Sequence, residues 1–292
     1  MTRSNFSHTL GLLVFLAAFG ITSTCEASDE LYKVNAGPHE VIVVATFNLP
    51  DADRDKELPL RITFPREDGK YPLVIFSHGA MGSKDAYGPL VKHWASHGYV
   101  CVQPTHEDSL QLIRQSGERF RLRDVWAKWS TRPPDVQLIL DSLDKLEKEV
   151  DGLEGKIDRE RIGMGGHSFG AHTSQLIGGV KMRNPRTKRF HTLDDPRPAA
   201  FLLISPQGTG DSLTAESYSG LTRPTLVITG TNDKSSRTGK GYLWRKEVYD
   251  NAPAGDRYLL TIDEAHHGFG WIPGVRRFPG SLLAGMFGFD QQ

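Results

Sequence analysis

Apolar runs recur along the chain and are separated by segments with helical spacing of their apolar positions. The segments HEVIVVATFNLP (39–50) and LPLRITFP (58–65) are rich in β-branched residues, and the acidic stretch between them predicts a connection. Together they predict an antiparallel pair of strands. The next run, YPLVIFSHG (71–79), is continuously apolar, as is typical of a strand that is buried on both faces.

Further apolar runs predict the rest of one large sheet. They are YVCVQP, ERIGMGG, AAFLLIS, TLVITG and RYLLTID, which start at positions 99, 160, 199, 225 and 257. Helical periodicity marks DAYGPLVKHWASHG (85–98), PPDVQLILDSLDKLEKEV (133–150) and the segment that follows Phe169. Buried strands that alternate with helices predict an α/β fold with a mostly parallel central sheet and helices on both faces.

The segment from about 109 to 131 is polar and predicts irregular structure. Trp126 and Trp129 within it are candidates for one wall or a lid of an apolar acyl pocket, and ordinary packing would explain them equally well. His106, Glu107 and Asp108 follow a predicted strand, and we interpret them as a hydrogen-bonded loop near the site rather than as metal ligands.

The first 27 residues have the layout of a secretory signal peptide. Arg3 precedes an apolar run at 10–21, and small residues follow, including Cys25 and Ala27. We predict cleavage after Ala27, a mature domain at 32–292 and a secreted or periplasmic protein. A lipid on Cys25 and an uncleaved anchor are the two alternatives.

Composition excludes several classes of partner. Lys+Arg and Asp+Glu both number 35, so the formal net charge is zero and no overall field favours nucleic acid or an anionic membrane. The hydrophobic fraction of 38% is ordinary for a soluble globular protein, and no stable membrane insertion is expected after cleavage. Cys101 lies in an apolar run and is predicted to be a buried thiol. The oligomeric state stays open.

The strongest chemical signal is the pentapeptide GHSFG at 166–170, which matches G-x-S-x-G. A predicted strand precedes it and a predicted helix follows it, which is the context in which this motif presents a nucleophile. Ser168 is therefore the candidate nucleophile, at the carboxyl edge of the sheet.

A serine hydroxyl needs a base, and the base needs a carboxylate to orient it. Asp233 directly follows one predicted strand, and His266 and His267 follow the last one, so the chain order is serine, acid, histidine. We favour Asp233 over Asp211 and His267 over His266.

The oxyanion of the reaction needs preorganised N–H donors. We assign the backbone N–H of Phe169, directly after the nucleophile, and that of Ala80, in the loop HGAMG (78–82) after a predicted strand. No metal or other cofactor is expected.

With these residues the chain resembles the α/β-hydrolase family. The resemblance is closest to the branch of dienelactone-hydrolase-like and platelet-activating-factor-acetylhydrolase-like enzymes, which neighbours the bacterial polyester hydrolases. It rests on RDKELPLRITFP, PLVIFSHGAMGSKDAYGPL, ASHGYVCVQPTHEDS, RPPDVQLILDSL, GMGGHSFGAHT and AHHGFG, which together span most of the mature chain. The resemblance implies ester hydrolysis by Ser168, His267 and an acid.

The sequence differs from that branch in two ways, and both differences bear on the expected substrate and on the expected acid. Dienelactone hydrolases use a cysteine nucleophile, whereas this chain has Ser168. In the acetylhydrolases the acid follows the earlier strand, but that strand ends here in LLISPQG without an acid at its tip, which favours Asp233. We expect a secreted serine esterase for small-molecule esters with small or medium acyl groups. Hydrolysis of lipid esters or of polyesters is the alternative reaction, and a non-catalytic binding protein on the same scaffold is the alternative class of protein.

Overall fold

The computed structural model describes residues 35–117, 119 and 121–272, all within one compact unit that covers 35–292. The predicted signal peptide at 1–27 lies outside the described residues. Within the described part of the chain, no helix has the length and apolar character needed to cross a bilayer.

Among the described residues, eight strands form the central sheet and two very short ones form a separate ribbon. The strands are β1 (Val41–Asp51), β2 (Lys56–Pro65), β3 (Tyr71–Ser77), β4 (Val100–Pro104), β5 (Ile157–His167), β6 (Met182–Arg183), β7 (Phe190–His191), β8 (Ala200–Ile204), β9 (Thr225–Asn232) and β10 (Arg257–His266). The order across the sheet is β1-β2-β4-β3-β5-β8-β9-β10, and β6 pairs with β7. The two pairings of β2, with β1 and with β4, are antiparallel, and the other pairings in the described sheet are parallel. The predicted antiparallel pair and the mostly parallel sheet are therefore both confirmed.

In the part of the chain that the structure describes, seven α-helices connect these strands. They are α1 (Gly88–Ser96), α2 (Leu110–Ser116), α3 (Leu122–Ala127), α4 (Arg132–Asp141), α5 (Leu143–Glu149), α6 (Phe169–Ile177) and α7 (Tyr242–Asn251). Short 3-10 helices lie at Lys128–Ser130, Ala215–Gly220 and Phe269–Trp271.

Alternating side chains of the central strands build a core on each face of the sheet. Leu73 and Ile75 of β3 belong to the larger core, which also takes in buried residues of α4, α5 and α6. Phe76, on the opposite face of the same strand, packs edge-on against Tyr87 and against Trp94 of α1. The sheet is therefore covered on both faces, as its continuously apolar strands predict. Cys101 is fully buried and free, which confirms its prediction.

The prediction of irregular structure at 109–131 is wrong, because α2, α3 and a 3-10 helix lie there. Helix α2 begins at a local signal: the Ser109 hydroxyl oxygen accepts a hydrogen bond from the Gln111 N–H at 3.2 Å. It ends at Gly117, which is left-handed (φ 71°). Because the segment is polar, apolar periodicity alone does not predict a helix there, although the capping residues mark one.

The prediction of a single helix over 133–150 is also wrong, because two helices, α4 and α5, lie there and meet at Ser142. The Ser142 N–H bonds to the Ile139 carbonyl at 3.1 Å, three residues back, which ends α4 with a 3-10 turn. The buried face of α4 carries the charged residues Arg132 and Asp135, so its pattern is not the simple apolar stripe that was expected.

Two glycines allow three chain segments to meet at the edge of the sheet. A Cβ added to Gly170 would lie 1.9 Å from the Ser77 carbonyl oxygen, at the end of β3. A Cβ added to Gly166 would lie 2.4 Å from the backbone carbon of Gly170. The ends of β3 and β5 and the start of α6 are therefore in backbone contact, which no larger residue at these positions permits.

We predict that Gly170→Ala lowers the free energy of unfolding by about 1–3 kcal/mol or more, because the methyl group must displace backbone atoms. Urea unfolding of the purified protein measures this change. Gly88→Ala is the matched control, since a Cβ there meets no atom within 4 Å. Equal stability of the two variants would contradict this account of the packing.

Candidate active site

Ser168 occupies the turn between β5 and α6. Its backbone angles are φ 57° and ψ −112°, a positive φ that non-glycine residues rarely adopt. Its N–H donates to the Ile204 carbonyl at 2.8 Å, which ties the turn to the neighbouring strand β8. The hydroxyl group is therefore presented at the carboxyl edge of the sheet from a rigid, strained turn.

The structure brings Ser168, His267 and Asp233 into one hydrogen-bonded chain. Ser168 Oγ lies 3.0 Å from His267 Nε2, and His267 Nδ1 lies 2.8 Å from Asp233 Oδ1. A neutral imidazole has one donor and one acceptor nitrogen. Since a carboxylate can only accept, Nδ1 carries the proton and donates to Asp233, which leaves Nε2 to accept from Ser168.

Asp233 is fully buried and is held by several donors. Ser205 Oγ donates to Oδ2 in a short hydrogen bond, and Thr229 Oγ1 donates to the same oxygen at 3.2 Å. Arg245 Nε lies 2.9 Å from Oδ1. Burial alone would raise the pKa of Asp233, but the hydrogen bond from His267 and the charge of Arg245 outweigh it and hold the pKa far below its usual range. The carboxylate therefore stays ionised.

Arg245 is equally buried and fixes the loop after β8. Its Nη1 donates to the carbonyls of Ser205 at 2.8 Å and Pro206 at 3.0 Å, while Nη2 lies 3.2 Å from His267 Nδ1. Burial is the main cause that lowers the pKa of His267, and the positive charge of Arg245 adds to it against the opposing effect of Asp233. The imidazole is thereby kept neutral, as a proton acceptor must be.

The second residue of the pentapeptide, His167, links the serine turn to the histidine loop. Its Nε2 donates to the His267 carbonyl at 2.8 Å, and its Nδ1 accepts from the Tyr87 hydroxyl at 2.8 Å. The Tyr87 oxygen in turn accepts the Gly79 N–H at 3.2 Å. Burial lowers the pKa of His167 to about 3, so the ring is neutral and these donor and acceptor assignments hold near neutral pH.

The two assigned oxyanion donors lie on the segments that meet at the serine. Among the described residues the Ala80 N–H has no partner, whereas the N–H groups of Gly79, Met81 and Gly82 are all bonded. The Phe169 N–H lies in the first turn of α6, where N–H groups lack acceptors within the helix. Both groups are thus free to bind an anion.

A buried ion pair holds the loop that carries Ala80. Arg132 Nε and Nη2 each donate to one oxygen of Asp108 at 2.8 Å, and Asp108 Oδ2 also accepts the Met81 N–H at 3.0 Å. Arg132 Nη1 donates to the His78 carbonyl at 2.7 Å and Nη2 to that of Gly79 at 3.3 Å. Every polar atom of the pair is therefore engaged with the loop or with its partner.

The same guanidinium lies 4.4 Å from the centre of the Phe169 ring. Burial would raise the pKa of Asp108, but the charge and hydrogen bonds of Arg132 lower it to about 2. The prediction of a hydrogen-bonded loop at 106–108 is confirmed, although its partner Arg132 was not foreseen.

The two alternative candidates, His266 and Asp211, lie outside this hydrogen-bonded chain. His266 is the last residue of β10 and is exposed, while Asp211 lines a cavity together with Trp126 and Trp129. The atoms within hydrogen-bonding distance of His267 Nδ1 belong to Asp233 and Arg245.

A second Ser-His-Asp chain lies deeper in the fold. Ser77 Oγ is 2.8 Å from His106 Nε2, and His106 Nδ1 is 2.8 Å from Asp135 Oδ2. All three side chains are fully buried, so no substrate can reach this serine. We interpret the chain as a support for the end of β3. Among the described residues, no cluster of three or more potential metal ligands was found.

Comparisons with known proteins found relatives that are named as chlorophyllases and platelet-activating factor acetylhydrolases. The family model named Chlorophyllase matches residues 32–184. Chlorophyllase type 0 of Chenopodium album is 33% identical over 212 residues, which cover 71% of this chain and 58% of that protein. Platelet-activating factor acetylhydrolase of Bos taurus is 28% identical over 141 residues, which cover 37% of this chain and 32% of that protein. The chain thus spans less than two thirds of these relatives.

A solved structure of a Klebsiella pneumoniae protein assigned as a dienelactone hydrolase has the same fold. The TM-score is 0.54 at 18% sequence identity, and the match covers 79% of this chain and 88% of that one. This match confirms the predicted α/β-hydrolase fold. The family model and the relatives named above confirm the predicted family resemblance. Because the family model matches just over half of the 292 residues, the protein belongs to the chlorophyllase family.

Proposed function

We propose that the protein hydrolyses carboxylic esters through an acyl-enzyme on Ser168. The observation that carries the proposal is the continuous hydrogen-bonded chain from Ser168 through His267 to Asp233. Ester hydrolysis also agrees with the names of the relatives.

In the proposed mechanism, Ser168 Oγ attacks the ester carbonyl while its proton passes to His267 Nε2. The resulting imidazolium is stabilised by Asp233 on its other nitrogen. Collapse of the tetrahedral intermediate breaks the bond to the alcohol, which takes the proton from Nε2. Water then repeats the sequence, with His267 as its base, and releases the carboxylic acid and the free serine.

The oxyanion of each tetrahedral intermediate would be bound by the N–H groups of Ala80 and Phe169. Loss of one such donor lowers turnover by about a hundred- to a thousandfold in known enzymes. The proposal therefore makes the position of the loop at 78–82 as important as that of the serine.

Substrate identity is a separate part of the proposal. Chlorophyll and platelet-activating factor are the candidates that the relatives' names supply, and small acyl esters and polyesters are the broader classes. A series of p-nitrophenyl esters of increasing chain length, run beside these two compounds, ranks the candidates by kcat/KM.

We also propose that the protein is exported after cleavage behind Ala27, on the strength of the apolar run at 10–21.

We predict that Ser168→Ala abolishes turnover of a soluble p-nitrophenyl ester while the fold stays intact. Asp233→Asn and His267→Ala each cripple turnover, the former by about ten-thousandfold if it behaves as in known triads. Asp211→Asn and His266→Ala are the matched controls and should cost about tenfold or less. Turnover is measured for each purified variant, and circular dichroism checks the fold.

Three outcomes of this series would contradict the proposal. Turnover by Ser168→Ala within tenfold of the wild type would show that Ser168 is not the nucleophile. If His266→Ala is inactive and His267→Ala is active, the base is His266. If Asp211→Asn is inactive, the acid is Asp211, in the loop after β8.

For the arginine beneath the loop at 78–82, we predict that Arg132→Lys lowers kcat by about tenfold or more and leaves KM within about twofold. Lysine has a single charged nitrogen and cannot hold Asp108 and two carbonyls in the same geometry. The loop would shift, and stabilisation of the transition state depends on donor position more than ground-state binding does. The measurement is steady-state kinetics with a thermal melt of each variant.

Arg197→Lys is the control for that substitution, because Arg197 likewise forms ion pairs, with Asp141 and Asp195, but lies at the surface. If Arg132→Lys raises KM alone, or if the melt shows unfolding without a loss of kcat in the folded fraction, the positioning role is refuted.

For the proposed export, we predict that the mature N-terminus of protein expressed with its full sequence is Ser28. Mass spectrometry of the exported fraction measures this directly. An intact Met1, or a lipid on Cys25, would refute cleavage behind Ala27.

A further inference from the structure

A bulge lies in β10 just before the proposed base. Ile262 pairs with Gly230 of β9, but the next pair in the ladder is His266 with Asn232. The step from 262 to 266 on β10 is thus matched by the step from 230 to 232 on β9. Because the register changes here, strand pairing alone does not set the position of the residue that follows, His267.

His167 makes a contact that does hold the backbone of His267. It lies at the end of β5, directly before the proposed nucleophile, and its Nε2 donates to the His267 carbonyl at 2.8 Å. The two imidazole rings also lie against each other, with 4.7 Å between centroids. This hydrogen bond joins the turn of the nucleophile to the backbone of the base. The distance of 3.0 Å from Ser168 Oγ to His267 Nε2 therefore depends on it.

The direction of this hydrogen bond follows from the groups on the other side of the His167 ring. The Gly79 N–H donates to the Tyr87 hydroxyl oxygen at 3.2 Å, and that oxygen lies 2.8 Å from His167 Nδ1. A backbone N–H can only donate and a backbone carbonyl can only accept. With such groups at both ends, one placement of protons satisfies the whole chain: Tyr87 donates to Nδ1, and Nε2 carries the ring proton.

Burial keeps both side chains in the protonation states that this chain needs. It lowers the pKa of His167 to about 3, so the ring is neutral near pH 7 and has one N–H. It raises the pKa of Tyr87 far above its usual range, so the hydroxyl keeps the proton that it donates. In the other tautomer of His167, the lone pair of Nε2 would face the His267 carbonyl oxygen and repel it.

The same chain reaches the loop that carries Ala80. Gly79 is the residue before Ala80, and Tyr87 directly precedes α1 with a left-handed φ of 64°. The Tyr87 ring is buried and packs edge-on against Phe76, with 5.0 Å between centroids. Its hydroxyl is therefore held by a fixed ring, and one set of hydrogen bonds joins the loop at 78–82 to the loop of the base.

We propose that Tyr87 and His167 are positioning residues for the proposed ester hydrolysis. Tyr87 holds the His167 ring, and His167 holds the backbone of His267 at the distance from Ser168 that proton transfer needs. The inference rests on the proposed function and adds to it two residues that act through the base. Neither is a catalytic residue, because the groups that they bind belong to the protein and not to the substrate.

The first test is the state of the His167 ring, which NMR of the isotope-labelled protein reads from the two ring nitrogens. Loss of the signals in His167→Gln assigns them. The wild type should carry the proton on Nε2. Tyr87→Phe keeps the buried ring but removes the hydroxyl, so the Nδ1 signal should shift to that of a nitrogen without a donor. A wild-type proton on Nδ1, or an Nδ1 signal that Tyr87→Phe leaves unchanged, would overturn the proposal.

Turnover of p-nitrophenyl acetate tests the effect on the reaction. Tyr87→Phe should lower kcat/KM by about five- to tenfold, as expected for lost hydrogen bonds. Tyr71→Phe is the matched control, because Tyr71 is also buried and its hydroxyl donates to the Glu67 carbonyl at 3.2 Å, at the opposite end of β3. It should change kcat/KM by less than about twofold. Equal effects of the two substitutions would overturn the positioning role.

Two substitutions of His167 separate its hydrogen bonds from its volume. Glutamine retains a donor and an acceptor, whereas leucine retains neither. His167→Leu should lower kcat/KM by about tenfold or more, and His167→Gln should retain several-fold more activity. Equal activity of these two variants would refute the role of the hydrogen bonds. If His167→Leu does not fold, the comparison of Tyr87→Phe with its control decides the matter.

A double-mutant cycle tests whether the two residues act together. The loss of kcat/KM that Tyr87→Phe causes should be smaller in the His167→Leu background than in the wild type, because Tyr87 acts through the ring that is then absent. An equal loss in both backgrounds would show that Tyr87 acts independently of His167 and would overturn the proposed coupling.

The spectroscopic result does not depend on turnover, so the two proposals can fail separately. If the ring nitrogens behave as predicted but the wild type does not hydrolyse the ester, the proposed function fails and the positioning role fails with it, although the hydrogen-bonded chain stands. If the wild type hydrolyses the ester and Tyr87→Phe is as active as Tyr71→Phe, the proposed function stands and the positioning role is refuted.

Discussion

The backbone contact between the end of β3, the end of β5 and the start of α6 is the constraint on which the candidate site depends. Gly170 packs against the Ser77 carbonyl and Gly166 packs against Gly170, and neither contact leaves room for a side chain. Ser168 lies between these two glycines and has a positive φ, and the same contact places the end of β3 beside the start of α6. A nucleophile and its oxyanion donors can then be positioned by close packing of backbone, which is more rigid than any arrangement of side chains.

Two buried Arg-Asp pairs extend that positioning to the other groups of the site. Arg132 and Asp108 hold the loop that follows β3. Arg245 binds Asp233, the proposed acid, and the carbonyls of the loop that follows β8. All four side chains are buried, so removal of one partner would leave an uncompensated charge, which is strongly destabilising. The pairs thus couple the geometry of the site to the stability of the fold.

Sequence alone predicted the features that have local signals. The alternating strands, the turn at Ser168 and the chain order up to His267 all follow from short motifs and their flanking elements. Arg132 and Arg245 had no local signal of this kind, because no motif distinguishes either residue from the other arginines of the chain. Asp108, the partner of Arg132, lies 24 residues away in the chain. Asp233, the partner of Arg245, lies at the carboxyl end of another strand. The role of His167 was hidden in the variable position of the pentapeptide.

The central claim is that Ser168 is activated by a buried, neutral His267, and the pH dependence of serine labelling tests it most directly. A fluorophosphonate probe is reacted with the full chain over a range of pH, and the labelled residue is mapped by mass spectrometry. Because burial and Arg245 lower the pKa of His267, the imidazole stays unprotonated as the pH falls past its ordinary value of about 6.5. The account predicts labelling at Ser168 alone, with a rate that falls to half its plateau only below that pH. Labelling at another residue, or a midpoint at or above that pH, would contradict it.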